Sequence, residues 1–167
     1  MTPPRDPRGR RGYHHGNLRE ALIEAALQLI ADRGPEGVTL TEAARMAGVS
    51  PAAPYRHFRD RTTLLSAVAR QGFARFADSL ERAWDGGRGQ PVAALIRIGA
   101  AYLAFARSEP AYFAAMFDQP HARDDGELVR EGERAFAVLR EAAAAVHAIL
   151  PADRRAPPLM IALHMWS

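Results

Sequence analysis

With 167 residues, 48% of them hydrophobic and 25% charged, the chain is long enough to bury a substantial core in one or two small domains. It has no cysteine, which excludes disulfides and thiolate chemistry. No apolar run reaches the roughly 18 residues of a membrane helix, and none follows the N-terminal arginines, so a soluble cytoplasmic protein is expected, with no membrane partner.

The net charge of +3 is unevenly placed: residues 1–75 carry 12 arginines against seven acidic residues, and residues 76–167 carry ten against 12. A basic N-terminal half joined to a mildly acidic one fits a nucleic-acid-contacting unit attached to one that makes no such contact.

Residues 1–15 are rich in Pro, Gly and Arg and read as a disordered basic arm. Within it, Arg8, Arg10 and Arg11 either enter a DNA minor groove or merely solvate the tail. From about Asn17 to Arg33 a helix is expected, with Leu18, Leu22, Ala25, Ala26, Leu29 and Ile30 on one face and Ile23 and Leu27 widening it. Gly34-Pro35 stops it.

The most informative stretch follows, TLTEAARMAGVSPAAPYRHFRDR from Thr39 to Arg61. Thr39 with Glu42 three positions on has the spacing of a capping box, so a short helix begins near Leu40. Gly48 can take the left-handed conformation that closes it. Ser50 caps a second helix, and Pro51 suits its first position. Leu40, Ala43, Ala44, Ala47, Val49, Pro54 and Phe58 fall at spacings that share one small core. Pro51, Ala52, Ala53, Tyr55, Arg56 and His57 are left for the outer faces. Pro54 cannot donate its amide to the Ser50 carbonyl and is read as a core residue on a short, stiff helix.

Asp60 caps a long fourth helix, Arg61 to Trp84, ended by the glycines from Gly86 to Gly89. Further helices are expected at Pro91–Ser108, Pro110–Phe117 and about Glu127–Leu150. They are separated by a polar loop at 118–126 and followed by a break at Pro151–Pro158. The Ala142–Ala145 run favours close helix packing. A last helix opens at Leu159 and is still apolar at Ser167, so the C-terminal domain is expected to be incomplete. No strand pattern, internal repeat or phosphate-binding glycine loop competes with an all-α reading.

Residues 16 to 75 resemble the N-terminal domain of the TetR/AcrR family of bacterial transcription regulators. The Val-Ser turn, the Tyr-x-His-Phe end of the second motif helix and the basic residue opening the next helix carry the likeness. The stretch AYLAFARSEPAYFAAMFDQP is similar to the ligand domain of a subgroup with a C-terminal Trp-His-Gly signature, which Trp166 could begin. The resemblance implies an all-α fold in which a three-helix helix-turn-helix domain, 16–76, is joined through the long helix to a helical regulatory and dimerisation domain, 77–167. It also implies a homodimer on a palindromic operator, with recognition elements about 34 to 36 Å apart. A small apolar or aromatic effector would release repression by shifting the Arg61–Trp84 helix.

By the same resemblance Thr39 and Thr41 lie near the DNA backbone and groove, Pro51, Ala52 and Ala53 face base edges, and Tyr55 and His57 reach phosphates. Arg61 corresponds to a phosphate clamp, with a surface ion pair as its other reading. Arg56 is the candidate for a guanine contact or, failing that, a phosphate or solvent role. In the C-terminal half Tyr102, Phe105, Tyr112, Phe113, Met116, Phe117, His147, His164 and Trp166 offer aromatic bulk with polar tips for an apolar pocket. Ordinary core packing is the competing reading for each. The histidines lack metal-ligand spacing, and no cofactor is expected. No nucleophile elbow or metal cluster supports an enzyme. The remaining alternative is a constitutive helix-turn-helix DNA-binding or protein-interaction module without an effector.

Overall fold

The computed structural model describes residues 18–117 and 125–166, except for the side chains of Arg154 and Leu163. The expected basic arm and most of the 118–126 loop lie outside the described residues. Among those described there are seven α-helices and no strand: α1 Leu18–Arg33, α2 Leu40–Met46, α3 Arg61–Trp84, α4 Pro91–Ser108, α5 Pro110–Phe117, α6 Gly126–Ile149 and α7 Pro158–Trp166.

The all-α expectation holds for every long helix, and the helix ends show why. Thr39 Oγ1 accepts the Glu42 amide at 3.1 Å and starts α2. The other half of the expected capping box is redirected, because the Glu42 carboxylate accepts from Arg33 Nη1 at 2.7 Å and ties the end of α1 to the start of α2. Gly48, at φ 69°, closes α2 as expected. Its amide reaches Arg45 O at 3.2 Å while the Val49 amide reaches Ala44 O at 3.0 Å, the double bond of a Schellman ending. Asp60 and Thr63 cap each other reciprocally at the start of α3.

The second motif helix departs from expectation. Instead of an α-helix from Pro51, the chain makes a 3₁₀ helix over Ala53–Arg56. Pro54 has no amide to give the Ser50 carbonyl, which takes the Ala53 amide at 3.0 Å instead; the His57 and Phe58 amides both close on Pro54 O at 2.9 Å. The motif core is otherwise as read: Leu40, Ala43, Ala44, Ala47, Pro54 and Phe58 are buried and Val49 is half-buried.

Helix α3 is the axis of the molecule, packed on α1, α4, α5 and α6. That explains why apolar residues from Leu64 to Leu80 are buried nearly all around it. Helices α3 and α6, 24 residues each, run parallel. Arg70 pairs with Glu127, Arg134 with Glu81 at 2.7 Å and with Asp78, and Trp84 Nε1 donates to Glu141 at 3.0 Å. Glu127, Arg134 and Glu141 are seven residues apart, so one stripe of α6 carries the whole polar edge of this seam. Its apolar side buries Leu128, Ala135, Leu139, Ala142 and Ala143; of the Ala142–Ala145 run, Ala144 is exposed and Ala145 half-buried.

Candidate nucleic-acid interface and effector region

The motif presents its outward residues through the geometry of the 3₁₀ turn. At three residues per turn, successive side chains are 120° apart, so burying Pro54 throws both Tyr55 and Arg56 outward. Tyr55 is 60% exposed, and Pro51, Ala52, Arg56 and His57 are exposed, while Ala53 is half-buried.

A groove of about 310 Å³ is lined by Thr39, Leu40, Thr41, Tyr55, Arg59, Asp60 and Arg61. It brings the two threonines at the start of α2 together with Tyr55, from the 3₁₀ turn, and with the first residue of α3. Hydroxyl donors and guanidinium groups along one concave edge are the chemistry that holds phosphate oxygens. Pro51, Ala52, Ala53, Arg56 and His57 stand outside this groove, on the exposed turn beside it.

Arg61 is placed differently from a free cation. Its Nε donates to Val38 O at 2.9 Å and its Nη2 to Pro35 O at 2.7 Å, so it ties the α1–α2 connection to the start of α3. Arg59, which sequence reasoning missed, has a side chain 86% exposed in the same groove, with Nε 3.0 Å from Asp60 Oδ2. No local signal separates it from the other arginines of the motif; its place in the groove comes from how the start of α3 packs beside Thr39, Thr41 and Tyr55. The Asp60 carboxyl is held below the usual carboxylate range, chiefly by the Thr63 amide and then by Arg59.

In the C-terminal half most of the aromatic residues singled out from the sequence meet. Phe76 of α3 lies 5.0 Å from Tyr102 and 5.1 Å from Phe105, ring centre to ring centre. Phe113 lies 4.8 Å from Phe117, and Trp166 stacks on Phe73 at 6.0 Å and touches Phe117 and Phe136. Tyr112 and Met116 are buried apart from these ring contacts, against α3. His147 is at the far end of α6, its Nδ1 2.8 Å from Ala156 O. Burial pushes the hydroxyls of Tyr102 and Tyr112 up. An apolar groove of about 570 Å³ opens elsewhere, between α4 and α7, lined by Leu95, Gly99, Met160, Ile161 and Met165 among others; of the residues named from the sequence only His164 reaches it.

Among the described residues no cluster of three or more His, Asp or Glu is placed to hold a metal, and no helix is long and apolar enough to cross a membrane.

A helical bundle carrying an N-terminal helix-turn-helix and a separate aromatic region defines a two-part regulator architecture. Residues 22–68 match the model of bacterial regulatory proteins of the tetR family, and residues 95–167 match that of a tetracyclin repressor-like C-terminal domain. The chain belongs to the tetR family of bacterial regulatory proteins.

Among curated relatives it is 33% identical over 109 residues to the HTH-type transcriptional regulator BetI of Rhizobium meliloti, covering 64% of this chain and 54% of BetI. The chain spans about half or less of the length of the curated relatives it matches. Among solved structures, a Rhodococcus sp. RHA1 protein of unknown function is 34% identical with a TM-score of 0.74, over 93% of this chain and 80% of that one. The complex of AibR with isovaleryl coenzyme A and operator DNA shares the fold at 22% identity and a TM-score of 0.70, over 89% of this chain and 82% of AibR.

Proposed function

We propose that this chain is a sequence-specific DNA-binding transcriptional regulator, a cytoplasmic repressor released by a small apolar or aromatic effector, and not an enzyme. The observation that carries the reading is the convergence of Thr39, Thr41, Tyr55 and Arg59 on one groove beside an exposed turn of Pro51, Ala52, Arg56 and His57. Relatives named as HTH-type regulators and repressors, and AibR crystallised on operator DNA, support it.

In this reading Thr39, Tyr55, His57 and Arg59 hold phosphates. Arg56, whose planar fork matches the guanine edge, reads a base, and Ala52 and Ala53 offer methyl contacts to thymine. Pro51 and Thr41 border the base edges. A homodimer places two such turns on a palindrome, about 34 to 36 Å apart. Residues 16–76 form the DNA-binding domain and 77–167 the regulatory one. The cluster around Tyr102, Phe105, Phe113, Phe117 and Trp166 supplies an apolar wall for the effector, with the α4–α7 groove as a second apolar surface.

The test is selection of bound fragments from genomic DNA by the purified chain at two salt concentrations. A palindromic motif that survives the higher salt supports the reading. Uniform binding that fades with salt would reduce it to phosphate attraction alone.

A further inference from the structure

Helix α5 is only eight residues long, yet it touches both halves of the molecule. Its Phe113 and Phe117 belong to the aromatic region, in contact with Tyr102, Phe73 and Trp166. One residue back, about 100° around the helix, Tyr112 and Met116 form a second stripe that meets α3. The two helices are in direct contact there: a Cβ added at Gly72 would lie 2.9 Å from Met116 Cγ and Sδ and 3.3 Å from Tyr112 Cβ.

Beside this contact runs a hydrogen-bond chain with a fixed direction. Gln71 Nε2 donates to Glu20 Oε2 on α1 at 2.8 Å, and because a carboxylate only accepts, the amide NH₂ must face α1. The Gln71 carbonyl is thereby turned to α5, where Tyr112 donates its hydroxyl to Oε1 at 3.1 Å. Arg75 lies over the Tyr112 ring at 4.7 Å and helps hold it in place. Helix α1 in turn carries the motif, through Arg33 to Glu42 and through Arg19 over the Phe58 ring at 5.4 Å.

We propose that Tyr112 and Gln71 are positioning residues: the relay Tyr112–Gln71–Glu20 crosses α3 and holds α1, and the motif with it, at a fixed angle to α5. This route from the aromatic region to the motif does not run along the length of α3. It rests on the DNA-binding reading only for its consequence, that the fixed angle sets specific affinity.

The test is amide hydrogen exchange on the full chain. Tyr112→Phe removes one hydroxyl and leaves the ring, so exchange in residues 18–33 should rise about two- to tenfold, the range of one hydrogen bond. Exchange in residues 78–84, on the α3–α6 seam, should stay unchanged. Gln71→Met, close in shape, should reproduce the effect. Adding Glu20→Met, which removes the acceptor of the Gln71 amide, to Tyr112→Phe should cost little beyond the larger single change, since groups in one network are not additive. Unchanged α1 exchange in both single variants, equal loosening of α1, α3 and α6, or strict additivity would overturn the relay.

The second readout is affinity for a duplex selected by the wild-type chain, against a scrambled duplex. Tyr112→Phe should weaken the first about three- to tenfold and leave the second unchanged; raised α1 exchange with unaltered specific affinity would overturn the positioning role. A wild-type chain that selects no duplex would sink the DNA-binding reading, while the exchange result still decides the relay.

Discussion

Arg59 and Arg61 are two positions apart in one groove, and their hydrogen bonds separate what they do. Arg61 satisfies two backbone carbonyls of the α1–α2 connection. Arg61→Ala should therefore destabilise the fold by about 1–3 kcal/mol, read by urea denaturation. Arg59 is mostly solvated, and its pair with Asp60 is a surface pair that solvent and salt screen. Arg59→Ala should leave the urea midpoint nearly unchanged and lower the slope of log affinity for DNA against log salt by about one unit. A reversed pattern would return the phosphate role to Arg61. Asp60 supplies a pH dependence with a definite sign. Its carboxyl titrates lower folded than unfolded, so its stabilisation is complete above the ordinary aspartate value and is lost as pH falls below it toward the folded one. Asn caps a helix as well as Asp, so Asp60→Asn should keep the fold and flatten the drop in melting temperature below about pH 4.

At the scale of elements, the helix-turn-helix was legible because its signals are local. Thr39, Gly48 and Asp60 act on their own neighbours within three residues, so their cap and turn chemistry survives without knowledge of the rest of the chain, whereas the cap expected of Ser50 is not made: the 3₁₀ helix has Ala52 at its N-cap and no side-chain cap. The type of the second motif helix was not legible, although Pro54 was recognised as inward-facing. Whether a missing amide kinks a helix or tightens it to 3₁₀ depends on which neighbouring amides find the free carbonyls; here the Ala53 amide takes Ser50 O. Pro54→Ala restores the amide, so helix content by circular dichroism should rise slightly and DNA sequence preference should change more than the salt slope. Gly72 makes the matching point for α3. The exposed interior of a helix gains about 0.5–1 kcal/mol from Gly→Ala, but a methyl here enters the Met116 contact, and overpacking costs about 1–3 kcal/mol. Gly72→Ala should lower the urea midpoint and loosen α5 on α3; an increase in stability would show that Met116 simply moves aside.

For the molecule as a whole, α3 and α6 form one parallel unit from the motif to the aromatic region. Arg134 sits between Asp78, Glu81 and Glu131, and the acidic neighbours, Glu81 first, hold its guanidinium well above its ordinary range, so it is charged at every working pH. Effector binding is then expected to move α5 and α7 against this unit more readily than to bend it. A ligand that binds only the folded state at about 100 times its dissociation constant should stabilise the chain by about 2.7 kcal/mol. A panel of short acyl thioesters and aromatic acids, screened by melting temperature, checks this. A hit that also lowers operator affinity supports the repressor reading, and a hit without effect on DNA favours a constitutive binder.

The sequence by itself determined the all-α class, the helix boundaries set by caps and prolines, the position of the motif and its outward residues, because those follow from contacts a few residues apart. Only the tertiary structure decided how the residues are used. It gave Arg61 to two carbonyls 23 and 26 residues away, turned Tyr112 from the aromatic region to Gln71, joined Trp166 to Phe73, and placed Arg59 in the groove with the two threonines. A helical pattern shows which face is buried but not which neighbour buries it. The partner of a long polar side chain is set by helix packing that no local spacing records.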